Sequence, residues 1–325
     1  MKLSFLFFGN QPDEKWSLCR QMGIKYAIAK LDPVLTGDVK PWEFDSMKRS
    51  HDVFKENGFE LIGFEGDQFD MNRIKFGLAG REEDAEKYCL MLENMGRLGI
   101  KLLCYNFMAG IGWFRTNTTL KERGNALVSG FSLAEAQKLG PSEFAPLSEE
   151  KLWDNYKWFL ERVLPAAEKA NVKMALHPDD PPVSPLRGVS RIFINAANIR
   201  KALTLVDSVA HGLTFCQGTY TTMGEDVKSL IHEFGAQQKI FFVHIRDIAG
   251  TPENFRETFH DNGPTDMVEM FRAYQKEGID VPIRSDHVPT MAGEDNEQHG
   301  YAMKGNLFGI GYMKGIMETL NISQE

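Results

Sequence analysis

The sequence predicts an α/β protein folded as a single closed (β/α)8 barrel, and three observations carry that expectation. Eight short runs rich in β-branched and aromatic residues recur along 325 residues, separated by longer amphipathic stretches. Several of these runs are apolar almost throughout, as strands buried on both faces of a parallel sheet must be. The length also fits, because such a barrel takes ~250 residues plus insertions, so one domain over 1–325 accounts for the chain.

The predicted strands are Leu3–Phe8, Lys25–Ala29, Glu60–Phe64, Lys101–Tyr105, Lys173–His177, Leu213–Cys216, Ile240–Ile245 and Val281–Ser285. Clear helical patterns lie at Glu82–Arg97, Ser148–Ala170, Val227–Phe234 and Thr265–Glu277. Ser148 followed by Glu149 and Glu150 has the form of an N-cap with an acidic first turn. Gly99 and Gly278 fall where helices should stop. An open, doubly wound sheet is the competing arrangement, but no Gly-x-Gly-x-x-Gly follows the first strand. The stretch 107–147 is rich in Gly, Ser and Thr and follows the fourth strand. It is expected as a long loop insertion at the C-terminal face, either a lid or substrate-contacting segment or a plain surface insertion.

Composition narrows the function. Hydrophobic residues make up 42% and charged residues 25%, the balance of a soluble globular protein. No apolar run approaches the ~20 residues of a membrane span. Met1–Phe8 carries Lys2 and no small-residue cleavage site, so it reads as a first strand rather than a signal peptide. A net charge of −8 argues against a nucleic-acid partner, which calls for a basic face. An anionic small molecule stays open, since local pocket charge decides its binding. The cysteines Cys19, Cys89, Cys104 and Cys216 form no Cys-x-x-Cys pair, so reduced thiols in the cytoplasm are expected. Cys19, Cys89 and Cys104 read as packing residues.

The last four strands end on residues able to bind a metal. They close on His177, Cys216 and His244, and the eighth runs into Asp286-His287. Successive gaps of 39, 28 and 42 residues each leave room for a loop, a helix and a return. In a barrel the C-terminal strand ends surround one mouth, so two imidazoles, a thiolate and a carboxylate would converge there. A lone strand-end histidine or buried cysteine is more often structural; the repeated position is what raises these four. His260 and His299 fall in loops near the mouth and stay open, whereas His51, His211 and His232 read as surface or structural. In His177-Pro178-Asp179-Asp180-Pro181-Pro182 the prolines stiffen the loop. It is either a rigid turn or a preorganised shell in which Asp179 or Asp180 orients a ligand or substrate hydroxyls.

At this point the sequence resembles the mannonate dehydratase family. The resemblance rests on Cys104-Tyr105-Asn106-Phe107-Met108, the His177–Pro182 run, Cys216-Gln217-Gly218-Thr219-Tyr220, Val243-His244-Ile245-Arg246, Arg284-Ser285-Asp286-His287, Gly300-Tyr301 and the Gly305 region. It implies a xylose-isomerase-like TIM barrel that dehydrates D-mannonate to 2-keto-3-deoxy-D-gluconate in hexuronate catabolism. It further implies one divalent metal, Mn2+ or Fe2+, and a homo-oligomer. Carried over by position, the metal ligands are His177, Cys216, His244 and Asp286. The catalytic candidates are His287 and Tyr301, and Arg246 and Asn106 join Asp179 and Asp180 as substrate contacts. The chain departs from the family where Leu6 replaces a usual arginine, Gly112 a usual aspartate, and Ser285 and Val288 a proline and a glycine.

Dehydrating an aldonic acid needs a base for the α proton, stabilisation of the resulting charge and an acid for the departing β-hydroxyl. His287 is of the residue type that suits proton transfer. A nearby metal is expected to lower the Tyr301 phenol pKa. Arg246 is expected to pair with the substrate carboxylate, its residue type fitting a rim salt bridge equally well. The thiolate leaves Zn2+ open beside Mn2+ and Fe2+. The alternatives are a sugar isomerase or epimerase on the same barrel, whose metal sites gather more carboxylates, and a non-catalytic sugar-acid binder.

Overall fold

The computed structural model describes residues 1–31 and 40–324. In chain order the strands are β1 (Lys2–Phe8), β2 (Tyr26–Lys30), β3 (Glu60–Glu65), β4 (Leu102–Tyr105), β5 (Asn117–Lys121), β6 (Leu127–Ser132), β7 (Lys173–Leu176), β8 (His211–Cys216), β9 (Ile240–Ile245), β10 (Ile248–Thr251), β11 (Asn254–Glu257) and β12 (Pro282–Ser285). Eight of them close a barrel in the order β1-β12-β9-β8-β7-β4-β3-β2. Every pairing in it is parallel, and β1 bonds both β2 and β12. The expected xylose-isomerase-like (β/α)8 barrel is the fold observed.

Pleating sorts the strand side chains into two cores. Leu3, Phe5 and Phe7 of β1, Ala27 and Ala29 of β2, Leu103 and Tyr105 of β4 and Met174 and Leu176 of β7 join the large core shared with the helices. The alternate residues Leu6, Ile28, Leu102, Cys104, Ala175 and Phe242 form a second, smaller cluster. A parallel strand can therefore be apolar throughout, with one face for the helices and one for the barrel interior.

The helix Glu149–Ala170 shows how the outer layer forms. Ser148 caps it, its side chain accepting from Lys151 N at 3.2 Å. Leu152, Tyr156, Phe159, Leu160, Val163, Leu164 and Ala167 recur at helical spacing and are buried. Full burial of one such large apolar side chain contributes roughly 1.5–3 kcal/mol. Gly99 and Gly278 follow helix ends with φ of 76° and 63°, left-handed values that favour glycine. The helix expected at Thr265–Glu277 runs Met267–Lys276 instead, because Asp266 caps it and Thr265 bonds Asp247.

The expected loop 107–147 is structured. It carries β5, β6 and the helix Leu133–Lys138, and its strands join β10 and β11 in an antiparallel sheet of order β10-β11-β6-β5. Phe131, Ala136, Val183, Leu186, Ile248 and Phe255 form its own small core. β5 reads Asn-Thr-Thr-Leu-Lys and is exposed or half-buried along its length. A strand so polar shows little hydrophobic period, so it passes for a loop. Among the described residues no helix is long and apolar enough to cross a membrane.

Candidate active site

The same alternation that builds the barrel sets its mouth. Residues in step with the inner cluster end the strands as His177 after Ala175, Cys216 after Thr214, His244 after Phe242 and Asp286 after Arg284. One ligand atom from each of His177, Cys216, His244 and Asp286 lies within 4.8 Å of the others. Cys216, His244 and Asp286 are buried and His177 is half-buried. His177 Nδ1 lies 2.7 Å from Pro178 O; donating to that carbonyl leaves Nε2 as an acceptor. His244 Nε2 is buried without a hydrogen bond, 3.3 Å from a Glu65 carboxylate oxygen. Thr219 Oγ1 donates to Cys216 Sγ at 3.1 Å. Two imidazoles, one thiol and one carboxylate, gathered with a buried ring nitrogen to spare, fit a divalent cation of borderline softness.

Arginines tie this group to a second one. Arg246 donates from Nε to Asp286 Oδ2 at 3.0 Å and from Nη2 to Asp180 Oδ2 and Thr219 Oγ1, both at 2.8 Å. Arg115 grips both Asp180 oxygens at 2.6 and 2.8 Å and reaches Glu257 Oε1 at 2.7 Å. Glu257 Oε1 also lies 2.7 Å from His287 Nδ1, and His287 Nε2 lies 3.1 Å from the Tyr301 hydroxyl. Trp113 packs against His287 with ring centroids 4.8 Å apart, and on His299 at 5.5 Å.

These neighbours set the ionisation of the carboxylates. Burial alone would raise the Asp286 carboxyl, but His287, Arg284, His244 and Arg246 outweigh it and hold the group well below the usual carboxylate range. Against the same penalty, His287 and Arg115 bring Glu257 down to about 2. Arg115 and Arg246 likewise keep Asp180 ionised. Burial, and then Asp286, push the Tyr301 phenol well above its ordinary value.

An open cleft of about 940 Å³ lies over these groups. His177, Asp180, Asp286, His287, Tyr301 and Asn106 all line it. Asn106 Oδ1 accepts from Lys75 Nζ and Met108 N, both at 3.1 Å. The structure does not bring Asp179 to this wall; its Oδ2 accepts from Ile192 N and Phe193 N at 3.0 and 2.7 Å, stapling its own loop. Arg246, expected to meet a substrate carboxylate, is 1% exposed, lies off the wall and spends its bonds on Asp180, Asp286 and Thr219. His260 is a buried structural residue bonded to Ile245 O at 2.9 Å and near Ser285 Oγ at 3.2 Å.

Sequence reasoning missed Glu65, Arg115, Trp113 and Glu257. Glu65 ends β3 and falls under the same strand-end rule, so position could have found it. Arg115 and Glu257 belong to the accessory sheet region, and no spacing in the chain announces their meeting 142 residues apart.

Fold and site together define an enzyme built on a xylose-isomerase-like barrel. A xylose isomerase domain protein from Planctomyces limnophilus superposes with a TM-score of 0.63 over 99% of each chain at 8% identity, a likeness of fold alone. Mannonate dehydratase from Streptococcus suis serotype 2 superposes with a TM-score of 0.91 at 26% identity, covering 100% of this chain and 97% of that one. Mannonate dehydratase 2 of Halalkalibacterium halodurans is 31% identical over 349 aligned positions, covering 99% of this chain and all of the relative. The family pattern described as UxuA, D-mannonate dehydratase, matches residues 1–144 and 134–325. The chain belongs to the D-mannonate dehydratase family and is an enzyme of the hydro-lyase class.

Proposed function

We propose that this enzyme dehydrates D-mannonate to 2-keto-3-deoxy-D-gluconate, with one divalent metal held by His177, Cys216, His244 and Asp286. The convergence of those four donors within 4.8 Å at the barrel mouth is the observation that carries the reading. Mn2+ or Fe2+ is the metal proposed, and the thiolate admits Zn2+. When bound, the metal supplies Lewis-acid stabilisation for negative charge developing beside the substrate carboxylate. A cytoplasmic homo-oligomer working in hexuronate catabolism completes the proposal.

The chain's own residues account for the two protons. With Nδ1–H donated to Glu257, the His287 Nε2 lone pair faces Tyr301 and the cleft. It is placed to accept the α proton as the C2–H bond breaks. Tyr301, held as a phenol by burial, is the donor available to the leaving β-hydroxyl, which departs as water. Arg115 and Arg246 fix Asp180 and Glu257, so the wall presents its groups with little reorganisation.

The test is an aldonate and ketose panel with metal-loaded protein, reading 2-keto-3-deoxy acid by thiobarbiturate or semicarbazide. Keto-deoxy acid from D-mannonate supports the proposal. Aldose–ketose exchange or epimerisation without loss of water overturns it.

A further inference from the structure

Every carboxylate on the cleft wall already faces a cation. Glu65 accepts from Arg284 at 2.6 and 3.0 Å. Asp67 accepts from Lys75 Nζ at 2.5 Å. Asp180 is held by Arg115 and Arg246, and Asp286 by Arg246 and Arg284. All four of those cations lie off the wall. Among the described residues the one lysine or arginine that does line the cleft is Lys30, and its ammonium has no carboxylate partner or hydrogen bond there.

The fold puts Lys30 there for the reason it puts the metal donors there. Tyr26 and Ile28 belong with the inner cluster, while Ala27 and Ala29 face the helices. Lys30 continues the inward series at the C-terminal end of β2, in register with Phe8 of β1, which also lines the cleft. Lys30 is half-buried and lines a concave wall, so an anion entering the cleft would meet a cation there. Among the described residues no such anion is supplied, since the wall carboxylates are committed elsewhere.

We propose that Lys30 binds the carboxylate of the sugar acid. The assignment rests on the sugar-acid reading above and names the residue that sets its charge specificity. It also reassigns the task expected of Arg246, whose bonds are internal. An ammonium offers three donors to a carboxylate without demanding a fixed bidentate geometry, so arginine should substitute in charge and reach.

The experiment titrates Mn2+-loaded protein with D-mannonate and with D-mannitol, its uncharged counterpart, in a His287→Asn background that blocks turnover. Lys30→Met should weaken D-mannonate about 10- to 100-fold, as loss of a charged hydrogen-bonded pair does. D-Mannitol affinity should not change, and Lys30→Arg should recover most of the loss. Unchanged D-mannonate affinity in Lys30→Met, or an equal loss for both ligands, overturns the assignment. Steady-state turnover by the protein with His287 intact separates the two readings. If Lys30 governs D-mannonate affinity but no water is released, the dehydratase reading fails and the Lys30 assignment stands.

Discussion

Two regions meet over the cleft, and they are built differently. One side is the barrel itself, where His177, Cys216, His244 and Asp286 project from or just beyond consecutive strand ends and converge within 4.8 Å. The other side is the accessory sheet region, which contributes Glu257 from β11 and Arg115 from just before β5. The barrel places its donors by strand parity, a local rule applied at neighbouring positions. The sheet places its pair by packing, with Arg115 and Glu257 meeting at 2.7 Å. The barrel side is therefore suited to holding a cation, and the sheet side to orienting His287 beside it.

That division can be broken experimentally. The largest effect should follow loss of a barrel donor. Cys216→Ser or Asp286→Asn is expected to lower D-mannonate turnover by on the order of 10³ or more and to deplete bound metal by elemental analysis. Chelation of the unsubstituted enzyme should mimic this and be reversed by Mn2+ or Fe2+. Full metal occupancy with ordinary turnover in either variant would remove the quartet from the site.

Next comes the ion-pair network. Arg115→Met strips Asp180 and Glu257 of a buried partner, and breaking such a pair costs roughly 3–5 kcal/mol. A matching drop in the denaturation midpoint is expected, whereas an unshifted midpoint would show that the accessory sheet is not anchored through this residue.

Glu257→Gln tests the division most directly. Turnover should fall roughly 10- to 100-fold through loss of His287 orientation, with metal content and KM little changed. Metal loss in step with turnover would mean the two regions act as one.

The smallest effect lies away from both. His211 is buried against the Tyr105 and Tyr156 hydroxyls, each at 3.0 Å, and burial lowers its pKa to about 3. Below the ordinary histidine value near 6.5 the unfolded chain takes up a proton that the folded chain refuses. This contribution is thus full above pH 6.5 and shrinks as pH falls toward 3, by about 1 kcal/mol at pH 5.5. Urea midpoints between pH 7.5 and 5.5 should fall less in His211→Gln. An identical slope would place the acid sensitivity elsewhere.

Much of the barrel was legible before any coordinates. Apolar runs such as Ile240–Ile245 and capped helices such as Glu149–Ala170 are specified by their own residues. The four metal-capable side chains were legible for the same reason, because each terminates a recognisable strand. The polar β5, by contrast, carries no period strong enough to announce a strand, and its sheet exists because β6 and β11 pair with chain far away.

The sequence by itself determined the order of the barrel strands, their parity and hence which residues crown the barrel, since these follow from local pattern and a fixed two-residue period. Tertiary structure alone decided the partners. It turned Arg246 inward to Asp180 and Asp286, spent Asp179 on Ile192 and Phe193, and brought Glu257 to His287. Hydrogen bonds and ion pairs act over a few ångströms, and only packing sets which residues come that near.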